Sequence, residues 1–430
     1  MVAPNVVTAL ATFVGWGFLA ILSKSMGDVA TQSAAVWLAT GVTFGALLAV
    51  RPARRSGVLL GTGVACALLG LLDGTPVLPS LVFALNEVLS AGVGAWVAQR
   101  FRTTTPDGRP EPGKAYAGLL LGAAVTSAVG ASVAIGLWSW TLPEQVQLAT
   151  EWRVWASTTF VGVLLVAPLV ISFSGFRVRR SGGMNSAEFF AGAGTLVLFF
   201  VVATLIFSSD VSDRFGTSLG ATLTYLPLPF MVLTAILWKE RGATVATLIG
   251  ALALIGWTAA GGGPFAEIEG FRGEAIIEVQ GYVAVMALLV GVVNALGAVN
   301  AHALAQASDW RTRYRQILES NRTVVANFDA VSGLAQWGDG AGPLLRVDTA
   351  LLRTVHDLIA HAELEQQTAL QADWRDLAAG HREHVLWKTV LRWSDGKVVT
   401  LGARLSSVRG ADGQVEQVAA LLDVEVPHAG

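Results

Sequence analysis

The sequence is poor in charged residues and almost without cysteine. Only 14% of its 430 residues are Asp, Glu, Lys or Arg, whereas a soluble globular protein carries about a quarter. This scarcity excludes a purely soluble protein. The single cysteine, Cys66, lies in an apolar stretch, which excludes a disulfide framework and a cysteine metal cluster. No basic tail is present, so we expect no nucleic-acid partner.

The charges are also unevenly distributed along the chain. The first 308 residues hold 31 of them, about 10% of that part, and the last 122 residues hold 29, about 24%. The mean hydropathy of +0.57 is therefore an average over two unlike parts. The sequence predicts a membrane domain followed by a soluble tail.

About 20 apolar residues are needed to span the hydrocarbon core of a bilayer, and ten stretches approach this length. They begin near Val6, Thr31, Gly57, Val77, Ala115, Trp155, Glu188, Ala221, Ala243 and Val279. The predicted fold is thus a polytopic α-helical membrane bundle of about ten transmembrane helices, with the lipid bilayer as its surroundings.

Basic residues are concentrated in alternate loops. The loops after the second, fourth, sixth and eighth stretches hold twelve Lys and Arg, among them Arg51, Arg100, Arg177 and Arg241, and the opposite loops hold four. Because basic residues in short loops stay on the cytoplasmic side, we expect a multi-pass protein of the bacterial inner membrane with both termini in the cytoplasm.

The fourth stretch carries a carboxylate near its middle, Glu87, next to Asn86. An ionisable side chain there costs on the order of 3 kcal/mol and normally faces the bundle interior. Helical spacing places it on a stripe of small residues, with leucines opposite. We take Trp37, Asn86, Glu87 and Asn294 as a candidate polar site for sensing inside the bundle. A structural glutamate bound to a neighbouring helix, and an interhelical Asn294, are the alternatives.

A second candidate site lies beside external loops and is formed by Trp152, Trp155, Gly263 and Pro264. Anchoring of the tryptophans at the membrane interface and a tight glycine turn are the alternatives. Four histidines of the tail, His356, His361, His381 and His384, lack the acids or cysteines of a metal site. We therefore predict no metal site.

The last stretch continues into a helix with a heptad-like seam. Its members are Leu296, Asn300, Ala303, Ala307, Trp310, Tyr314, Ile317 and Asn321. The seam is typical of a dimeric coiled coil or of an ordinary amphipathic helix. Residues 351–361 and 363–379 of the tail then have apolar side chains at helical spacing. Three strand-like runs with turns at 394–396 and 412–413 follow, which predicts a small α+β domain with an antiparallel meander.

The membrane half resembles the bacterial membrane-associated sensor domain of the first kind (MASE type). Matching stretches lie at 35–37 and 41, 61, 86–87, 155–168, 226–227, 241–242 and 261–265, and they cover about residues 5 to 302. Leu38, Ala39 and Thr40 depart from this pattern, because a proline-containing turn is expected there. The resemblance implies a sensor for histidine kinases and diguanylate cyclases.

The tail resembles a PAS domain through Trp393-Ser394-Asp395-Gly396, Asp412-Gly413 and Asp423. A flavin photosensor of this class would need a cysteine in the domain, and the tail has none. We expect no cofactor, with haem on His356 or His361, or another PAS ligand, left open.

Together these patterns predict a sensor domain over 1–302, a connecting signalling helix over 303–320 and a PAS-like domain over 321–430. We expect a receptor without catalytic activity, since no kinase, cyclase or hydrolase signature is present. Its partners would be a histidine kinase, a cyclase or another effector, and a second copy of the chain bound through the connecting helix. The alternative is a transporter or channel with a regulatory PAS-like tail.

Overall fold

The computed structural model describes residues 4–27, 34–101, 111–141, 148–174, 185–208, 222–266, 274–411 and 413–425. The chain divides into two compact units, Met1–Ala301 and His302–Gly430. The turn residue Asp412 of the expected PAS pattern lies outside the described residues.

The first unit is a bundle of nine helices among the described residues. They are α1 (Pro4–Ser25), α2 (Ala39–Ala49), α3 (Arg55–Leu72), α4 (Val77–Arg100), α5 (Pro112–Thr141), α6 (Leu148–Phe173), α7 (Ser186–Phe207), α8 (Pro227–Ala259) and α9 (Glu274–Ser320). Eight of these described helices are long and apolar enough to cross a membrane, and α2 is the short one. The polytopic helical bundle is confirmed, and its described helices differ from the ten expected spans at α2 and α8.

Helix α2 has only 11 residues. Residues 34–38, called here the entry segment, precede it outside any helix. Ala35, Val36 and Leu38 of this segment are fully buried. The described part of the second predicted stretch is therefore a buried non-helical segment followed by a short buried helix, rather than one long helix.

Helix α8 breaks at Lys239, where φ is 57° and ψ is −166°. Gly250 packs against the side chain of Met231, although 19 residues of continuous helix would separate them by about 28 Å. The two arms of α8 therefore fold back on each other and correspond to the eighth and ninth predicted stretches. Pro227 begins the first arm, since proline fits the first helical turn.

The predicted faces of α4 are confirmed. The small residues Ser80, Ala84, Ala91 and Ala98 are at most 6% exposed. The opposite leucines and Trp96 are more than half exposed, as expected for side chains that face lipid. This orientation turns Glu87 towards the interior of the bundle.

The second unit is an α+β domain with one five-stranded antiparallel sheet of order β2-β1-β5-β4-β3. Its strands are β1 (Thr323–Asp329), β2 (Ala335–Trp337), β3 (His384–Arg392), β4 (Val398–Arg409) and β5 (Val415–Glu425). Three helices lie between β2 and β3 in the chain, α10 (Ala341–Leu345), α11 (Val355–Ala360) and α12 (Leu364–Ala378). This is the PAS-like fold class that the sequence predicts.

The meander of β3, β4 and β5 and the two longer helical regions agree with the sequence prediction. Every second residue from Val385 to Trp393 is buried, as the alternation indicates. The strands β1 and β2 were not predicted. β1 pairs along its whole length with β5, with Thr323 opposite Asp423, and this long-range pairing leaves no local mark apart from a short apolar run.

Helix α6 packs against the entry segment through Gly162, and this contact permits a test. A Cβ atom at Gly162 would overlap the carbonyl oxygen of Trp37, whereas a Cβ at Gly136 would meet nothing within 4 Å. Alanine is favoured over glycine in a helix by about 1 kcal/mol. We expect Gly162→Ala to lower the unfolding midpoint of the protein in detergent and Gly136→Ala to leave it unchanged or raise it. Equal midpoints for the two variants would contradict this packing.

Candidate functional site

Glu87 binds side chains of two other helices of the bundle. Trp16 Nε1 on α1 donates to Glu87 Oε1 at 3.1 Å, and Thr40 Oγ1 on α2 donates to Glu87 Oε2 at 3.0 Å. Trp16 and Thr40 are each 1% exposed. A carboxylate in such a place is retained because hydrogen bonds replace part of its lost hydration. Glu87 therefore joins α1, α2 and α4 at one point.

Glu87 lies on the wall of a cavity of about 790 Å³. Five aromatic rings line it, from Trp16, Trp37, Phe83, Trp138 and Trp155. Trp37 meets Trp16 edge to face at 6.0 Å between ring centroids. Trp155 stacks on Phe83 at 6.1 Å and meets Trp138 edge to face at 5.1 Å. The volume lies within the usual range of small-molecule sites.

The cavity reaches from one end of the bundle to about the middle of the helices. Lys24 and Asp73 form an ion pair at this end, and Glu151, in the first turn of α6, also lines the cavity. Glu87 is ten residues into α4, which places it about 15 Å from the start of that helix. The cavity thus has a charged mouth, an aromatic wall and a carboxylate at its inner end.

Asn86 lines the same cavity and is 6% exposed. Its Nδ2 donates to the carbonyl oxygen of Gly130 at 3.1 Å. Its Oδ1 has no hydrogen-bond partner within the part of the chain that the structure describes. An acceptor left buried in this way costs about 1–3 kcal/mol, which makes it a candidate for binding a donor from a ligand.

The entry segment forms another wall of the site, and its backbone is bound by side chains and backbone of other helices. Ser23 Oγ accepts from the amide of Leu38 at 3.0 Å, and the carbonyl of Thr158 accepts from the amide of Trp37 at 3.2 Å. Gln280 on α9 donates from Nε2 to the carbonyl of Ala35 at 2.7 Å and to Thr158 Oγ1 at 3.1 Å. Such partners are required because, inside a membrane domain, water is not available to form hydrogen bonds with backbone groups that lie outside a helix.

The structure brings together some of the predicted site residues and separates others. Trp37, Asn86, Glu87 and Trp155 line the one cavity. Asn294 lines a different cavity of about 330 Å³ beside Tyr116 and Glu240. Trp152 is 39% exposed, and its Nε1 donates to Ser132 Oγ at 3.1 Å.

Gly263 and Pro264 belong to a turn after α8, away from the lining of the Glu87 cavity. Gly263 has φ of +83° and packs against the backbone of Phe207. This agrees with the alternative of a tight turn, since a left-handed backbone favours glycine.

The tail histidines are placed as follows. His356, His381 and His384 are exposed, whereas His361 is half-buried with its ring 4.9 Å from that of Trp393. Within the described ranges, no three His, Cys, Asp or Glu side chains come together as metal ligands.

Several residues of the site are not among those predicted from the sequence: Trp16, Thr40, Phe83, Trp138 and Gln280. Gln280 is a polar residue within an apolar stretch, but its partners are far away in the sequence. Trp16 and Thr40 carry no signal by themselves, because only the packing of α1 and α2 against α4 brings them to Glu87.

Comparisons with known proteins agree with this division of the chain. The model of the MASE1 family matches residues 6–298. Comparison with curated proteins gives no match.

Two solved structures are similar to part of the chain. One is an RNA-binding light-oxygen-voltage receptor, with 19% identity, 24% of this chain and 29% of that chain covered, and a TM-score of 0.20. The other is a domain described as belonging to a light- and redox-sensing histidine kinase from Haloarcula marismortui. That match has 14% identity, covers 26% of this chain and 97% of that chain, and has a TM-score of 0.21.

The hydrogen bond from Trp16 to Glu87 can be tested by a matched pair of substitutions. Trp16→Phe removes the donor and keeps an aromatic ring against Trp37, and Trp152→Phe removes the equivalent donor at an exposed position. Leaving a buried polar group without its hydrogen-bond partner costs about 1–3 kcal/mol, whereas surface changes stay within about 0.5 kcal/mol. We expect Trp16→Phe to lower the free energy of unfolding in micelles by at least about 1 kcal/mol more than Trp152→Phe. Equal losses would contradict the buried bond.

Proposed function

The chain belongs to the MASE1 family, and from this premise we propose that it is a bacterial inner-membrane sensor. It detects a stimulus in the Glu87 cavity and passes a change along α9 to the PAS-like unit, which controls an effector. The effector is a histidine kinase, a cyclase or another signalling protein. The receptor itself is proposed to have no catalytic activity.

The distribution of charge supports an orientation for this sensor. Arg51 and Arg54 lie between α2 and α3, Arg55 begins α3, and Arg100 ends α4. The cavity mouth with Lys24 and Asp73 lies at the opposite ends of α1 and α3. Because basic loops stay in the cytoplasm, we propose that the mouth opens to the outer side and that both termini are cytoplasmic.

The proposal rests on the two hydrogen bonds that Gln280 donates. Its amide nitrogen donates to both the entry segment, at Ala35, and Thr158. Thr158 and the neighbouring Trp37 line the cavity. Gln280 belongs to α9, and that one helix extends from Glu274 to Ser320, two residues before β1. A change at the cavity wall therefore reaches the connecting helix through a single polar side chain.

The proposed relay needs only a small displacement. An occupant that moves Trp37 or Thr158 alters the acceptor positions of Gln280, and α9 adjusts by a shift or rotation. Shifts of 1–2 Å in one helix are a common form of switching. The ligand has to bind more tightly when the cavity wall is in one position than when it is in the other, because a ligand shifts an equilibrium only by its differential affinity for the two states.

The relay can be tested by hydrogen exchange on the full chain in lipid nanodiscs. Gln280→Leu removes both bonds, and we expect faster amide exchange in the entry segment together with altered exchange over residues 302–329. Asn294→Leu is the control on the same helix, since Asn294 lines the other cavity, and it should leave the entry segment unchanged. An unaltered 302–329 region in Gln280→Leu would contradict the relay.

Transport is the competing function, and the same cavity motivates it. Uptake of an amine into proteoliposomes that is abolished by Glu87→Gln would favour a transporter. Autophosphorylation or cyclic-nucleotide synthesis by the purified chain would contradict a receptor without catalytic activity.

We further propose a homodimer through the connecting helix. Trp310, Tyr314 and Ile317 of the seam are 54–71% exposed within the single chain, which is costly for large apolar side chains in the cytoplasm. Their spacing of four and three residues fits the core of a parallel coiled coil. A second copy is the occupant that supplies an identical seam in register.

Cysteine cross-linking tests this dimer. In a Cys66→Ala background, Trp310→Cys and Ile317→Cys should form disulfide-linked dimers in membranes. Thr312→Cys should not, because it lies about 200° around the helix from residue 310. Equal cross-linking of all three variants would show random collision, and none at 310 and 317 would overturn the parallel dimer.

A further inference from the structure

We propose that the Glu87 cavity binds an organic cation that carries N–H donors on an apolar or aromatic body, such as a primary ammonium compound. The inference deepens the proposed function, since it names the chemical class that the sensor detects. It is carried by the acceptors, the rings and the charges of the cavity wall.

Glu87 and Asn86 present hydrogen-bond acceptors at the inner end of the cavity. Glu87 Oε1 and Oε2 each accept one bond, from Trp16 and Thr40, whereas a carboxylate has about four acceptor positions. Asn86 Oδ1 is buried and has no partner among the described residues. A ligand has to bring donors to these atoms, and a purely hydrocarbon ligand would leave them unpaired at a cost.

The aromatic wall favours a positive charge. Five rings line the cavity, and the face of an aromatic ring attracts a cation, most strongly when the ring is a tryptophan. Four of the five are tryptophans. The same rings cover the apolar body of a ligand, so that one surface serves both parts of an arylalkyl ammonium ion.

The charges of the wall disfavour an anion. Lys24 is the one basic residue in the described lining, and it is paired with Asp73. Glu87 and Glu151 also line the cavity. A cation entering from the mouth therefore meets carboxylates at both ends, and an anionic ligand would meet like charges.

The test uses four probes of similar size on the full chain in nanodiscs, with empty nanodiscs to correct for partition into lipid. They are phenethylamine, its N,N,N-trimethyl ammonium analogue, 2-phenylethanol and 3-phenylpropionate. We expect phenethylamine to bind most tightly in calorimetry. The quaternary analogue, which lacks N–H donors, should bind more weakly, and the alcohol and the carboxylate should bind at least about tenfold more weakly than the amine.

Glu87→Gln is the matched variant, because its amide oxygen can accept from Trp16 and its amide nitrogen can donate to Thr40 Oγ1 while the charge is lost. We expect it to weaken phenethylamine at least about tenfold, a difference of about 1.4 kcal/mol, and to leave the alcohol unchanged. Asn294→Ala, in the other cavity, should change neither. The order of the probes on the unsubstituted protein decides the question even where Glu87→Gln fails to fold.

Equal binding of the amine and the alcohol, tightest binding of the carboxylate, or no binding of phenethylamine at millimolar concentration would overturn the inference. Hydrogen exchange of residues 302–329 with phenethylamine present separates it from the relay. Amine binding without a change there supports the ligand class and contradicts the relay. The converse, a relay that responds to Gln280→Leu in a protein that binds no amine, keeps the proposed function and rejects this ligand class.

Discussion

The constraint on which the membrane unit depends is the non-helical backbone of the entry segment. Peptide groups that are not in a helix have to find partners within the protein when they lie inside a membrane domain. The partners come from Ser23 on α1, Thr158 on α6 and Gln280 on α9. Three helices are therefore held around five residues, and the short helix α2 follows in a fully buried position.

The placement of Glu87 follows from that arrangement. The entry segment sets where α2 begins, and α2 brings Thr40 within 3.0 Å of one carboxylate oxygen. α1 runs beside it and brings Trp16 to the other oxygen. Because these bonds come from two helices, the carboxylate is fixed at the inner end of an aromatic cavity instead of turning towards the helix ends. Structural and ligand-binding roles of Glu87 are thus compatible, since the two bonds use only part of its capacity.

The sequence predicts what repeats locally and fails where distant segments meet. The two faces of α4, the hairpin strands of the tail and the burial of Glu87 follow from helical and strand periods. The helix in the second stretch is shorter than the hydropathy indicates, because hydropathy alone does not separate a buried non-helical segment from a helix. Trp155 lines the cavity and Trp152 does not, since three positions turn a side chain by about 300° and small differences in packing decide which one reaches the cavity.

The contacts around the entry segment also differ in how readily they can change. At Gly162, helix and segment approach so closely that a methyl group would overlap backbone, and tightly packed contacts resist displacement. Gln280 shares one amide nitrogen between two acceptors, and its Oε1 has no partner within the described residues. Each acceptor is bound by a separate N–H of that amide, so movement of the entry segment or of Thr158 displaces one of the two bonds. The packed contact therefore serves as the fixed point, and the polar contact is the one through which we propose that a change at the cavity wall reaches α9.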